Sequence, residues 1–182
     1  MIEDDGSLVK RICSGETDLF RHLIRNYQHA SMSIAMSIIK DEFIAEEVIQ
    51  DAFIKAYQQL NNFKHHSKFS TWLYKIVTNE SLMRLRKMKV DKLQFYETLP
   101  ETELEDISLY RLECKEMQQM IYSALQRLAP NESLSLSLFY LEEGSLNDIC
   151  EITGWSLSNA KTILHRARKK LAHLLNEQMK QS

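Results

Sequence analysis

Two short runs of basic residues carry the most chemistry in this sequence, and that chemistry is phosphate neutralisation rather than bond breaking. From Arg84 to Lys92 stand Arg84, Arg86, Lys87, Lys89 and Lys92 against the single acid Asp91. From Lys161 to Lys170 stand Lys161, Arg166, Arg168, Lys169 and Lys170 with no acid among them. Cations at this density replace the counterions condensed on a nucleic-acid backbone, which is the sequence-independent part of binding such a polymer. Around the second run lie Ser158, Asn159, Thr162 and His165, and Ser, Thr, Asn and Arg side chains can hydrogen-bond base edges. Between the runs, Glu97 to Asp106 holds five acids and no base. The net charge of −2 averages over this pattern and conceals it.

Other chemistries find little support. No Gly-rich phosphate loop and no pairing of a nucleophile with a base suggests an enzyme or a small-molecule substrate. His65 and His66 are adjacent but lack nearby Cys partners, so they read as exposed loop residues; no metal and no cofactor is expected. Cys13, Cys114 and Cys150 are odd in number and far apart, which predicts reduced, buried thiols. The N-terminus has no basic stretch followed by an apolar one, and no window approaches the roughly 18 apolar residues of a membrane span. A cytoplasmic protein without membrane insertion is expected.

The elements that must position these residues are helices. Only four Gly and two Pro punctuate 182 residues that are 44% hydrophobic and 26% charged, so an all-α fold with few turns is predicted. Asp41 can cap a helix whose stripe is Ile44, Ala45, Val48, Ile49, Ala52, Phe53, Ala56, Tyr57 and Leu60. Its other side carries Glu46, Glu47, Gln50, Asp51, Lys55 and Gln58. Similar spacing from Leu19 to Ile39 predicts a long partner helix between Glu16 and Lys40. After a break at Asn61-Asn62, a further helix is predicted with Ser70 or Thr71 as its cap and Trp72, Leu73, Ile76, Val77 and Leu85 inside. Phe63, Phe69 and Trp72 lie on or beside that apolar stripe and read as core.

These pieces predict one bundle over residues 1–90, an acidic linker over 91–110 and a second helical domain over 111–182. In the second, a stripe from Leu112 to Leu128 stops at Ala129-Pro130, and a further helix is predicted over Asn131–Leu141. Ser145-Leu146-Asn147-Asp148 has the form of a capping box. A helix of about two turns follows, then Thr153-Gly154 as a tight turn, then a helix capped by Ser156 or Ser158 with Ala160, Ile163, Leu164, Ala167, Leu171 and Leu174 inside. That order is a helix-turn-helix, whose second helix enters a major groove. Its outward residues are Ser158, Asn159, Lys161, Thr162, His165, Arg166 and Lys169. Lys169 and Lys170 could simply complement the helix dipole, but a cation in the first turn, Lys161, is disfavoured by it and wants a phosphate.

With these motifs placed, the chain resembles the sigma factors of bacterial RNA polymerase, specifically the extracytoplasmic-function group that keeps only regions 2 and 4. The resemblance rests on Ala45-Glu46-Glu47-Val48-Ile49-Gln50-Asp51-Ala52-Phe53, on the spacing of Phe63, Phe69, Trp72 and Leu73, and on Asn79 with Arg84-Leu85-Arg86-Lys87. In the second half it rests on Leu128-Ala129-Pro130, Ile149, Gly154, Ser156, Lys161, Leu164, His165-Arg166-Ala167-Arg168 and Leu171. The chain departs from the family pattern at Met83, Cys150 and Ile163, three replacements that suit helix packing.

The resemblance implies a division of labour. Glu46, Glu47, Gln50 and Asp51 would dock on core RNA polymerase. Asn61, Asn62, Lys64, His65 and Lys68 would take a flipped base of the minus-10 element, with Lys75, Asn79, Arg84, Arg86 and Lys87 on strand phosphates. Ser158, Asn159, Lys161, Thr162, His165, Arg166 and Lys169 would read the minus-35 element as duplex promoter DNA. An anti-sigma factor is a further candidate partner, being common in the family. The alternative is a stand-alone helix-turn-helix regulator that acts without polymerase, although such a protein would not need the Phe63 to Lys87 segment.

Overall fold

The computed structural model describes residues 4–96 and 116–181, among which there are eight α-helices and no strand. The predicted acidic stretch from Glu97 to Asp106, and Cys114, lie outside them. In the first half, α1 (Asp5–Cys13) flanks three packed helices, α2 (Phe20–Ile39), α3 (Glu42–Gln58) and α4 (Phe69–Tyr96). Two residues join α2 to α3. Lys40 ends α2 in the left-handed region at φ 65°, and the Asp41 carboxylate accepts from the Ile44 N–H at 3.0 Å. That bond satisfies one of the orphan donors of the α3 start, the capping that the sequence predicts.

Small residues on α3 let its neighbours approach. Ala45, Ala52 and Ala56 are fully buried against a core that includes Leu23, Ile34, Ile38, Leu73 and Val77. Each such Leu, Ile or Val contributes about 1.5–3 kcal/mol by leaving water. Phe63 and Phe69 are buried and Trp72 half-buried, with ring centroids 5.4–5.7 Å apart in tilted and edge-on pairs. They brace the start of α4, as the apolar stripe predicts.

Several details differ from the sequence reading. α4 starts at Phe69, so Ser70 and Thr71 sit inside its first turn rather than capping it, and it continues past residue 90 to Tyr96. Tyr57, assigned to the buried stripe, keeps 42% exposure while its ring packs edge-on to Phe20. Cys13 is exposed and Cys150 half-buried, because Cys13 falls on the last turn of α1, away from Leu8, Val9 and Ile12.

The second half comprises α5 (Glu116–Gln126), α6 (Pro130–Leu136), α7 (Leu146–Thr153) and α8 (Leu157–Gln181). Pro130 takes the first position of α6, where its missing N–H costs nothing, and the Glu132 carboxylate accepts from the Ala129 N–H at 3.0 Å. The single helix predicted for Asn131–Leu141 changes at Ser137 into a π-turn, closed by Glu142 N–H on Ser137 O at 3.2 Å. Gly144 N–H then donates to Leu138 O at 3.0 Å, and a Cβ on Gly144 would lie 2.7 Å from that same oxygen. No other residue fits so close to a carbonyl.

The second half does not keep its core to itself. Ala124, Leu128, Leu136, Leu164, Ala167 and Leu174 form one cluster under α8. Leu134, Leu138, Ile149, Ile152 and Ala160 join the cluster of the first half instead. α6 and the π-turn lie on α2, and α7 lies on α4.

Candidate nucleic-acid interface

The helix-turn-helix forms as its sequence dictates. The Ser145 hydroxyl accepts from the Asp148 N–H at 3.2 Å, and the Asp148 carboxylate accepts from the Ser145 N–H at 2.9 Å and its hydroxyl at 2.6 Å. Those bonds hold the Asp148 carboxyl below its ordinary range. Gly154 adopts φ 75° and closes α7 with its N–H on Cys150 O at 2.9 Å. Ser156, rather than Ser158, caps α8, its hydroxyl accepting from the Asn159 N–H at 3.3 Å.

With Ala160, Leu164 and Ala167 turned inward, helical geometry sends the intervening positions outward. Ser158, Asn159, Lys161, Thr162, His165, Arg166 and Lys169 are all exposed. The Thr162 hydroxyl donates back to Ser158 O at 2.9 Å. Two other cations of the run are tied into the protein. Arg168 stacks over the Phe139 and Tyr140 rings at 4.9 and 5.3 Å, and Lys170 pairs with Glu132 at 3.0 Å. With Arg166 adding its field, Lys170 and the Ala129 N–H outweigh burial and lower the Glu132 carboxyl.

The first half brings its assigned residues together on α4 and the loop before it. Lys75, Asn79, Arg86 and Lys87 are exposed, and positions 75, 79, 83 and 87 follow one helical face. Met83 lies on that face and keeps 56% exposure, so it does not suit packing as expected; it offers an apolar contact among the cations. Arg84 is already engaged, pairing with Glu47 of α3 at 2.5 Å, and Lys55 pairs with Glu80 at 2.5 Å. Val48, Asp51, Met83 and Lys87 complete a shallow depression of about 270 Å³ around the Arg84 pair. In the loop, Asn61, Asn62, Lys64, His65 and Lys68 are all exposed. His65 adopts φ 55° with its ring 4.6 Å from Phe63.

Glu46, Glu47, Gln50 and Asp51 are exposed along α3. The sequence reading missed Phe43 and Ile54, which are 84% and 57% exposed. The signal was available: 43, 47, 50 and 54 follow the spacing of one helix face, so two apolar side chains flank Glu47 and Gln50. Among the described residues no cluster of His, Cys, Asp and Glu could hold a metal, and no helix is long and apolar enough to cross a membrane.

Comparison with known proteins agrees with this layout. Residues 23–89 match the Sigma-70 region 2 family and residues 118–171 match Sigma-70, region 4. The ECF RNA polymerase sigma factor SigW of Bacillus subtilis is 28% identical, over 93% of this chain and 95% of its own. The RNA polymerase sigma-H factor of Pseudomonas aeruginosa is 29% identical, over 96% of this chain and 97% of its own. Among solved structures, the sigma factor RpoE of Bartonella quintana, in complex with the anti-sigma factor NepR, shares the fold with a TM-score of 0.67 at 22% identity. That match covers 86% of this chain and 96% of the other. CnrH, in complex with the cytosolic domain of CnrY, gives a TM-score of 0.65 at 20% identity, over 93% of this chain and 96% of its own. With region 2 in the first half, region 4 in the second and relatives aligned from end to end, the chain belongs to the sigma-70 family of RNA polymerase sigma factors, in its extracytoplasmic-function group.

Proposed function

We propose that this sigma factor divides its work among three surfaces, in two domains over residues 1–90 and 111–182 with a connector between. Glu46, Glu47, Gln50 and Asp51 of α3, flanked by Phe43 and Ile54, grip core RNA polymerase. Asn61, Asn62, Lys64, His65 and Lys68, with Lys75, Asn79, Arg84, Arg86 and Lys87 behind them, take the melted minus-10 strand. Exposed cations beside a half-buried aromatic group suit single-stranded DNA, whose bases stack while its phosphates are tracked. Ser158, Asn159, Lys161, Thr162, His165, Arg166 and Lys169 enter the major groove at the minus-35 element.

The observation that carries this reading is the outward orientation of all seven α8 residues on a helix fixed by the Ser145 capping box and the Gly154 turn. The chain acts by binding alone, has no catalytic activity of its own and works in the cytoplasm. An anti-sigma factor is proposed as its inhibitor, since one fold neighbour is a sigma factor in complex with the anti-sigma factor NepR. The test is run-off transcription with core polymerase. Specific initiation absent from core alone is expected, and replacing Gln50 and Asp51 with Ala should weaken capture of core while leaving helicity intact. Unchanged capture would remove α3 from the interface.

A further inference from the structure

The loop assigned to the melted strand has no ladder of its own to hold it. Among the described residues, no backbone hydrogen bond outside the helices involves Lys64, His65, His66 or Ser67. His65 nevertheless keeps φ 55°, a left-handed pose that a residue with a Cβ holds only where its surroundings enforce it. Two neighbours stand against it. One is Phe63, whose ring lies 4.6 Å from the imidazole. The other is α1: a Cβ placed on Gly6 would lie 3.7 Å from His65 Nδ1 and 3.0 Å from the Asp4 carboxylate, so the imidazole stands against the bare side of Gly6.

α1 is itself fastened to the frame of that loop. Leu8, Val9 and Ile12 enter the buried cluster that holds Leu60 and Phe63. The Tyr27 hydroxyl of α2 donates to the Asp5 carboxylate, one residue before Gly6. The same Tyr27 ring lies 5.5 Å from Phe69, and Phe69 lies 5.7 Å from Phe63, so one run of contacts joins α1 to both ends of the loop. α1 precedes residues 23–89, which match region 2, and none of the site residues assigned above lies on it. We infer that α1 belongs to the minus-10 site: Gly6 leaves the space in which the His65 ring stands, and Tyr27, through Asp5, fixes Gly6 there. Both are then positioning residues for the base the loop takes, an inference that rests on the reading of that loop as the strand site.

The test uses the full chain with core polymerase and, as probe, the labelled non-template strand of a promoter located by run-off transcription. Gly6→Val puts a branched side chain against the imidazole at a helical position where glycine is the poorer helix former, so the fold should not be weakened. Strand affinity should fall about fivefold or more, the loss of one base contact, while capture of core and binding of the minus-35 duplex stay unchanged. In a His65→Ala background the same substitution should cost nothing further, since the ring it displaces is gone. Tyr27→Phe keeps the ring, removes only the hydroxyl and should act in the same direction. Both variants should shift the His65 ring signals in the NMR spectrum of the free chain, identified by their loss in His65→Ala. Unmoved His65 signals in either variant would overturn the hold of α1 on the loop. Unchanged strand affinity, a loss that persists in the His65→Ala background, or a parallel loss of duplex binding would each overturn its part in the minus-10 site. If the unsubstituted holoenzyme binds that strand no better than one of scrambled sequence, the strand reading itself falls, while the His65 signals still decide whether α1 sets the loop.

Discussion

The two basic surfaces of this molecule are built on opposite plans. On α4, the cation that opens the run is held by an acid of the neighbouring helix, Arg84 by Glu47, and Lys55 and Glu80 form a second pair across the same groove. On α8 the arrangement is reversed. The cations at the far side are anchored, Arg168 on two aromatic rings and Lys170 on Glu132, while the first turns point Lys161 and Arg166 at solvent. A surface whose cation is already paired must exchange a partner before it holds a phosphate. The α8 surface needs no exchange. Duplex binding should therefore be available to the second domain as it stands, whereas in the first domain Lys75, Arg86 and Lys87 are exposed and only the Arg84 contact depends on what happens at α3.

One buried cluster reaches from the first half to α6, α7 and the start of α8, and breaching it should blur the contrast between the two surfaces most. Leu134 is wholly buried where α6 meets α2, and Leu134→Ala should cost about 2–5 kcal/mol through lost contacts and the cavity left behind. Because that cluster spans both halves, urea unfolding followed by circular dichroism should shift as a single transition. If the first domain melted at its original midpoint while only the second moved, the two halves would be energetically separate.

The contrast sharpens in salt. Each phosphate contact contributes about 0.9 to the slope of log affinity against log salt, so replacing Lys161 and Arg166 together with Ala should flatten the slope for duplex binding by about two. Arg84→Ala should change the slope for a single strand by clearly less than the about 0.7 that one free cation contributes there, because in the free chain that side chain starts on Glu47. A full change of about 0.7 would erase the distinction drawn here.

A smaller effect tests how the α8 face is held. Ser145→Ala removes the hydroxyl from the capping box of α7 and should cost about 1 kcal/mol. The same box sets an acid dependence. The Asp148 and Glu132 carboxyls are both lowered in the folded chain, so their contribution is present above the ordinary carboxylate range and is lost as pH falls below that range toward the lowered values. Thermal melts of the chain at pH 7 and pH 3.5 should differ by more than those of an Asp148→Asn variant. Identical differences would take Asp148 out of the account.

Much of this was legible in the sequence because it is local. Asp41, Ser145 and Gly154 sit at helix ends where only a short side-chain acceptor or a positive φ will serve, and the three- and four-residue spacing fixed which side of α8 faces out. The missed features depend on partners distant in sequence. Lys40 reads as a helix terminus until Leu125 and Ser133 are beside it, and Leu134 or Ile149 reads as the core of its own domain because a stripe does not say which neighbour covers it. The π-turn at Ser137 escaped for a related reason: it is closed by the Glu142 N–H on Ser137 O, a five-residue contact that three- and four-residue spacing does not encode. Phe43 and Ile54 were passed over because a stripe analysis looks for what is buried, whereas their meaning lies in being left out.

The finest test concerns the Glu47–Arg84 pair, where the polymerase face and the strand face share one bond. At 2.5 Å but with both side chains well exposed, the pair is worth only about 0–1 kcal/mol. That is small enough for polymerase to break by engaging Glu47, and the guanidinium would then be released toward the strand. Glu47→Gln mimics the release without polymerase. It should raise the affinity of the free chain for single-stranded minus-10 DNA, by no more than about fivefold given the weakness of an exposed pair, and Arg84→Ala should abolish the gain. An increase that survives Arg84→Ala would mean the lost carboxylate acted only through its general repulsion of DNA, and no increase at all would mean that Arg84 reaches phosphate without leaving Glu47.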